Sequence, residues 1–303
     1  MGADDGGGEP RGLAGAGRDV VGPMVLEAWD AFLAQAAAVD LDRPSRLPGW
    51  RAREICVHLG VWPEHAALAD LVAGARRGGT GTPADVDATN ARVVAAHRDA
   101  SREEVLAALR RSREATVRYL ADEPAQLDTA PTVSTVGRLP LLSVVLGQAY
   151  ELAVHGLDLA RLGAAPPPPS VLRSGLAALA EVTGALAAAS GITGGATLST
   201  PDGGWRFAAD PPGWTVRPVT GRPDGAVVEA AADVLLDAAS GRANPAAALV
   251  RRRLRIRDLP ELMRLAPIVE SAPGIPGGPV LQLAARTVGG TGDLLGRLRG
   301  RRG

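Results

Sequence analysis

Residues 150–158 read YELAVHGLD. A carboxylate and an imidazole four positions apart lie one turn from each other on the same helix face, so Glu151 and His155 make a pair amid Leu146, Ala149, Leu152 and Val154. An ionised glutamate in such apolar company is unfavourable unless a cation or a hydrogen-bonding partner compensates it. Around this pair the segment LPLLSVVLGQAYELAVHGLDLA, 139–160, is apolar enough to pass for a membrane span, but Glu151, His155 and Asp158 make it a poor one. It reads instead as a buried helix of a bundle, from about Leu139 to Leu162, stopped by Gly163 and the prolines at 166–169.

Upstream, apolar residues recur at helical spacing. Val21, Val25, Leu26, Trp29, Phe32 and Leu33 mark a first helix over 21–40. After a turn with Pro44 and Pro48, a second runs from about Trp50 to Ala75, ended by the glycines at 78, 79 and 81. Further helices are expected over 84–98, over 101–122, where Ser101 and Glu104 have capping-box spacing, and over 170–190. Past Gly191 the period becomes two: ATLST, WRFAAD and WTVRPV, separated by PDGG and PPG, read as strands joined by turns. ADVLLDAAS reads as a helix capped by Gly241, RLRIR alternates again, and Asp258 with Glu261 opens another helix.

Composition narrows the function. With 303 residues, 46% of them hydrophobic, the chain suits two ordinary domains, each with its own core. Basic and acidic residues balance at 33 each, which argues against nucleic acid or an anionic membrane as partner. Every basic residue is arginine, and alanine, glycine and proline abound, as in the coding of a GC-rich genome; an actinobacterial source is expected. One cysteine, Cys56, excludes an internal disulfide and a cysteine-built metal cluster within one chain, and fits a reducing cytoplasm. The opening MGADDGGGEPRGLAGAGRDV lacks the basic start and continuous apolar stretch of a signal peptide and reads as a disordered tail. Without lysine there is no P-loop or kinase chemistry, and no nucleophile elbow accompanies a suitable histidine.

A third polar group joins the pair. In RAREICVHLG, 51–60, Ile55, Leu59 and the later Trp62 share a helix face that also contains His58. Two histidines and a glutamate from two helices make a zinc-type donor set with a fourth position open; the spacing equally allows a Glu–His hydrogen bond without metal. Asp158, three residues after His155, either orients that imidazole as a hydrogen-bond acceptor or pairs with Arg161 at the surface. Arg242, in the SGR turn, offers a planar fork to a substrate carboxylate. His65, beside Pro63 and Glu64, is expected at the surface, His97, among Arg92, Arg98 and Asp99, in solvent, and Cys56 in the packing.

LPGWRAREICVHLG (47–60) and YELAVHGLDLARLG (150–163) together resemble the two signatures of mycothiol-dependent maleylpyruvate isomerase-like proteins, whose metal-binding half is a DinB-like bundle. The resemblance implies a DinB-like four-helix bundle and a smaller α+β, sterol-carrier-like domain; with the change of period after Gly191 and the tail-like composition of both ends, the expected organisation is an α+β multidomain chain with the bundle over 21–190, the second domain over 191–288 and tails at 1–20 and 289–303. LLDAASGRANP (235–245) resembles a helix and glycine–arginine turn of that second domain. It further implies that His58, Glu151 and His155 hold one divalent metal, typically zinc, and that mycothiol is the thiol cofactor. The activity it implies is isomerisation of, or S-transfer to, a small electrophilic substrate. Two other readings share the donor set: a hydrolase or lyase using metal-activated water, and a non-catalytic, metal-stabilised binding module.

Overall fold

The computed structural model describes residues 9–83 and 85–268. The helical part runs α1 (Gly12–Ala16), α2 (Arg18–Ala38), α3 (Ala52–Leu59), α4 (Ala67–Arg76), α5 (Val86–Ala96), α6 (Arg102–Asp122), a hairpin of β1 (Pro131–Ser134) and β2 (Gly137–Pro140), α7 (Leu141–Ala160) and α8 (Pro169–Ala189). The long helices α2, α6, α7 and α8 pack together, and α3 lies across α6 and α7. The pair-bearing helix α7 buries residues on every side, Leu142, Val145, Leu146, Ala149, Leu152, Ala153 and Leu159 among them, which is why its sequence is almost uninterruptedly apolar.

The helix expected from Trp50 to Ala75 is two helices. Gly60 leaves the α-region at φ −80°, ψ 149°, and Val61 N–H donates to the Ala108 carbonyl of α6 at 3.1 Å. A Cβ at Gly60 would stand 2.8 Å from Ala108 Cβ, so the chain turns where it crosses α6 too closely for a side chain. Pro63 then denies a helical N–H. The expected start of α7 at Leu139 differs too, because Gly137–Pro140 pairs with Pro131–Ser134 as a hairpin.

The second part contains β3 (Gly194–Thr200), β4 (Gly203–Asp210), β5 (Gly213–Val219), β6 (Val227–Ala230), α9 (Ala232–Ala239), α10 (Pro245–Val250), β7 (Leu254–Arg257) and α11 (Leu259–Met263). Its sheet has the order β5-β4-β3-β6-β7, antiparallel except for β6 beside β3. β6 went unseen in the sequence: Val227, Val228 and Ala230 are buried in the interior of a sheet and Glu229 is partly exposed, a four-residue pattern with no alternation to reveal a strand. Against this sheet lies α8, with Gly184 allowing Trp214 and Phe207 to approach within 3.0 and 3.4 Å of where its Cβ would be. By length and composition α8 could cross a membrane, but 89% of its most apolar stretch is buried inside the protein. It is the shared wall of bundle and sheet, and one hydrophobic core extends across both.

Residues 9–20, expected as part of a disordered tail over 1–20, are ordered; residues 1–8 and the expected tail at 289–303 lie outside the described residues. Trp214 N–H donates to the Pro10 carbonyl at 2.9 Å, and Leu13 and Ala14 N–H donate to the Glu181 carboxylate at 2.7 and 3.2 Å. Ser143 hydroxyl adds a third bond at 2.7 Å. Burial pushes the Glu181 carboxyl above its usual range despite these donors. Gly12, at φ +53°, is wedged between Trp214 and Glu181, each about 2 Å from an added Cβ, so no other residue fits. The tail reading failed because its anchor, a lone glutamate in the middle of α8, is 168 residues away. Replacing Glu181 with leucine is expected to speed hydrogen exchange at the Leu13 and Ala14 amides by roughly tenfold or more while α7 amides stay protected; unchanged exchange at both would contradict the anchoring.

Candidate metal centre

The N-terminus of α3 is fixed before it presents His58. Glu54 accepts from Arg51 N–H at 2.7 Å and pairs with the Arg51 guanidinium, Nη2 to Oε1, at 2.7 Å. One turn on, the His58 ring lies 5.6 Å from the Trp50 ring and 5.4 Å from that of His155, at 68° to the latter. The three sequence-expected donors converge: His58 Nε2 and His155 Nε2 are 3.9 and 3.7 Å from Glu151 Oε2, and one ligand atom from each residue lies within 4.8 Å of the others. Bonds of 2.0–2.1 Å in a tetrahedral zinc site separate donors by about 3.3–3.4 Å, so the set fits such an ion after closing by a few tenths of an ångström to somewhat over one.

Each imidazole is held from behind. His155 Nδ1 is 2.9 Å from Asp158 Oδ2 and His58 Nδ1 is 3.1 Å from Asn90 Oδ1, leaving both Nε2 atoms facing Glu151. Of the two placements open for Asp158, the structure has the acceptor beneath His155. Its side chain is fully buried and also receives Arg46 Nε at 2.5 Å and Arg242 Nη2 at 3.4 Å. Arg161 pairs instead with Asp237, at 3.3 Å, and Asp237 takes the other edge of the Arg46 fork at 2.6 and 2.9 Å. A guanidinium on the α2–α3 connection therefore joins a bundle carboxylate to one on α9.

Electrostatics follow from this packing. Burial pushes the Asp158 carboxyl up, but His155, Arg242 and Arg46 outweigh it and bring the pKa down to about 2. Burial, reinforced by nearby His58, lowers the His155 pKa despite Asp158, so the ring is neutral at neutral pH and its lone pair is available. Desolvation raises Glu151, yet His58, His155 and Arg242 hold it below the usual carboxylate range. Glu151 is also less enclosed than its apolar helix implied: 46% of its side chain is accessible, so the donor set opens toward solvent at the glutamate.

Arg242 reaches the site but is partly engaged, bonding the Ser240 carbonyl at 3.2 Å as well as Asp158, with Nε buried and unpartnered among the described residues. Arg46, Asn90 and Asp237 were missed by sequence reasoning. Arg46 has its two partners 112 and 191 residues away, and the one local sign of Asn90 is an asparagine inside a helix that gains nothing from it. His97, expected in solvent, is half-buried: it stacks on Trp62 at 3.7 Å between centroids and contacts Glu64. This stack lines a separate cavity of about 620 Å³, with Pro63, Asp99, Glu103 and Arg111, that contains none of the three donors. His65 is half-buried beside it. Cys56 is fully buried and its thiol is pushed up to about 12 by burial, which keeps it protonated and inert.

Residues 25–160 match the family model of the mycothiol maleylpyruvate isomerase N-terminal domain. Over these residues, from within α2 to the end of α7, the chain is similar to that family. All three donors and Asp158 lie within the matched residues, which end with α7. Two solved structures are similar to the chain over a longer span, a crystal structure of the mycothiol-dependent maleylpyruvate isomerase and one of a histidine-to-alanine mutant of it. Each is 17% identical, covers 74% of this chain and 90% of its own, with TM-scores of 0.46 and 0.45. None of the curated proteins matches.

Because the Asp158 carboxyl is depressed in the folded state, its contribution to stability is present above the ordinary aspartate range and is lost as pH falls through about 2. In metal-free protein, unfolding free energy is expected to drop between roughly pH 4 and 2 by about 2 kcal/mol more than in Asp158→Asn. Denaturant titrations across that range measure it, and parallel curves for the two proteins would refute the assignment.

Proposed function

We propose that the chain is a metal- and thiol-dependent enzyme acting on a small electrophilic substrate. His58, Glu151 and His155 hold one divalent cation, zinc, and a low-molecular-weight thiol, mycothiol, takes the position the three leave open. The observation that carries this reading is the convergence of three donor atoms from α3 and α7 within 4.8 Å, with both imidazoles turned to offer Nε2. The similarity of residues 25–160 to that family and the accessible edge at Glu151 support it.

A divalent cation there favours the thiolate form of a bound thiol at neutral pH. The chain's own residues do the rest. Asp158 holds His155 in the tautomer that offers Nε2, Arg46 and Arg242 hold Asp158, and Glu151 supplies one negative charge toward the cation. We assign Arg242 to a substrate carboxylate, a reading supported by its place beside Asp158 and by its planar fork. The chemistry is isomerisation by reversible addition to an activated double bond, or S-transfer. The α+β part we read as sterol-carrier-like, on its meander of three strands, its crossover to β6 and the glycine–arginine turn after α9. We read the enzyme as cytoplasmic and actinobacterial, with neither membrane nor nucleic acid as partner; the single buried cysteine, the lysine-free composition and the balanced charge support that reading.

Elemental analysis of purified protein is expected to find about one divalent metal per chain. His58→Ala, Glu151→Ala and His155→Ala should each lose most of it, and His97→Ala should keep it. With cobalt in place of the native ion, mycothiol should produce a saturable sulfur charge-transfer band in the near ultraviolet. Equal metal retention in all four variants, or turnover without any thiol, would overturn the proposal.

A further inference from the structure

The two imidazoles of the centre are not held alike. His155 rests on a carboxylate, which when ionised accepts hydrogen bonds and donates none, so its Nδ1 carries the hydrogen and Nε2 the lone pair. His58 rests on an amide, Asn90, with Nδ1 3.1 Å from Oδ1. An amide has an accepting end and a donating end, and the end facing His58 decides which nitrogen can bind a cation. With Oδ1 toward the ring, Nδ1 is protonated and Nε2 is a free donor 3.9 Å from Glu151 Oε2. With the amide reversed, the hydrogen sits on Nε2 and points at Glu151, and the donor set loses a member.

We infer that Asn90 is a positioning residue that selects the Nδ1–H tautomer of His58 and so ties the centre to α5. The inference rests on the proposed metal site but concerns a residue outside the donor set. No helix requirement accounts for Asn90. The N-cap of α5 is Asp85, accepting from Ala88 N–H at 3.0 Å, and Asn90 sits in the helix interior, where asparagine is a mediocre former. Packing brings α5 against α3, and Trp50 and His155 flank the His58 ring, so the ring has little freedom to find another acceptor.

Asn90→Asp keeps an accepting oxygen at the Oδ1 position and replaces the donor with a second acceptor; Asn90→Leu keeps the volume and removes both. Competition with a chromophoric chelator for zinc is expected to show Asn90→Asp binding at least as tightly as the native protein and Asn90→Leu about 10–100-fold more weakly. Nitrogen-15 NMR of the metal-free proteins, at a pH where the ring is neutral, should show His58 as the Nδ1–H tautomer in native and Asn90→Asp protein and shifted toward Nε2–H in Asn90→Leu. Binding by Asn90→Asp as weak as by Asn90→Leu would mean that Asn90 donates rather than accepts, and would overturn the inference. So would an Nε2–H tautomer in the native protein, a result that needs no variant to fold. If native protein binds no zinc, the proposed function fails, while the tautomer measurement still decides what Asn90 does.

Discussion

The fully buried carboxylate of Asp158 holds the rest in register. It accepts His155 Nδ1, Arg46 Nε and Arg242 Nη2, and each donor comes from a different part of the chain: α7 itself, the α2–α3 connection and the turn after α9. A carboxylate so enclosed requires compensation, since an unpaired buried charge is costly by several kcal/mol. Here the compensation doubles as architecture. The groups that neutralise Asp158 bring the sheet-bearing part against the helical one, and the group it orients is an imidazole of the candidate centre.

The charges around that centre cancel without recruiting the histidines. Glu151, Asp158 and Asp237 face Arg46, Arg161 and Arg242, so the site has no need of a protonated imidazole to reach neutrality. That leaves His155 free to remain neutral inside the protein, as burial already favours. A dication at the donors would then be the local excess of positive charge, and an anionic partner would find attraction there.

What the sequence made legible was local. The pattern on α7, the i, i+4 pair at Glu151 and His155, the inward His58 and the capping box at Ser101 each reside within one or two turns, and each has its place in the structure. The strands around PDGG and PPG were readable for the same reason, through a period of two over six or seven residues. What escaped depended on partners far along the chain. Arg46 looks like one more arginine in a loop until Asp158 and Asp237 stand beside it, and residues 9–16 look like a tail until Glu181 supplies an anchor. Gly60 inside an otherwise helical pattern was ambiguous because its meaning lies in the nearness of Ala108, a fact of tertiary packing. The four-residue strands β1, β2 and β6 also went unread, although β7, equally short, was legible in the alternation of RLRIR.

The anchoring of α1 also imposes an order in time. Leu13 and Ala14 are held by Glu181, and Gly12 is seated under Trp214, so α1 has its seat in residues that the ribosome makes much later. At ~5–20 residues per second, roughly ten to forty seconds of synthesis separate α1 from the strand that covers it. During that interval α2, α6 and α7 can assemble while the leading segment waits unplaced. Helix α1 thus closes this packing only after α8 and β5 exist, a seal applied after the walls are up.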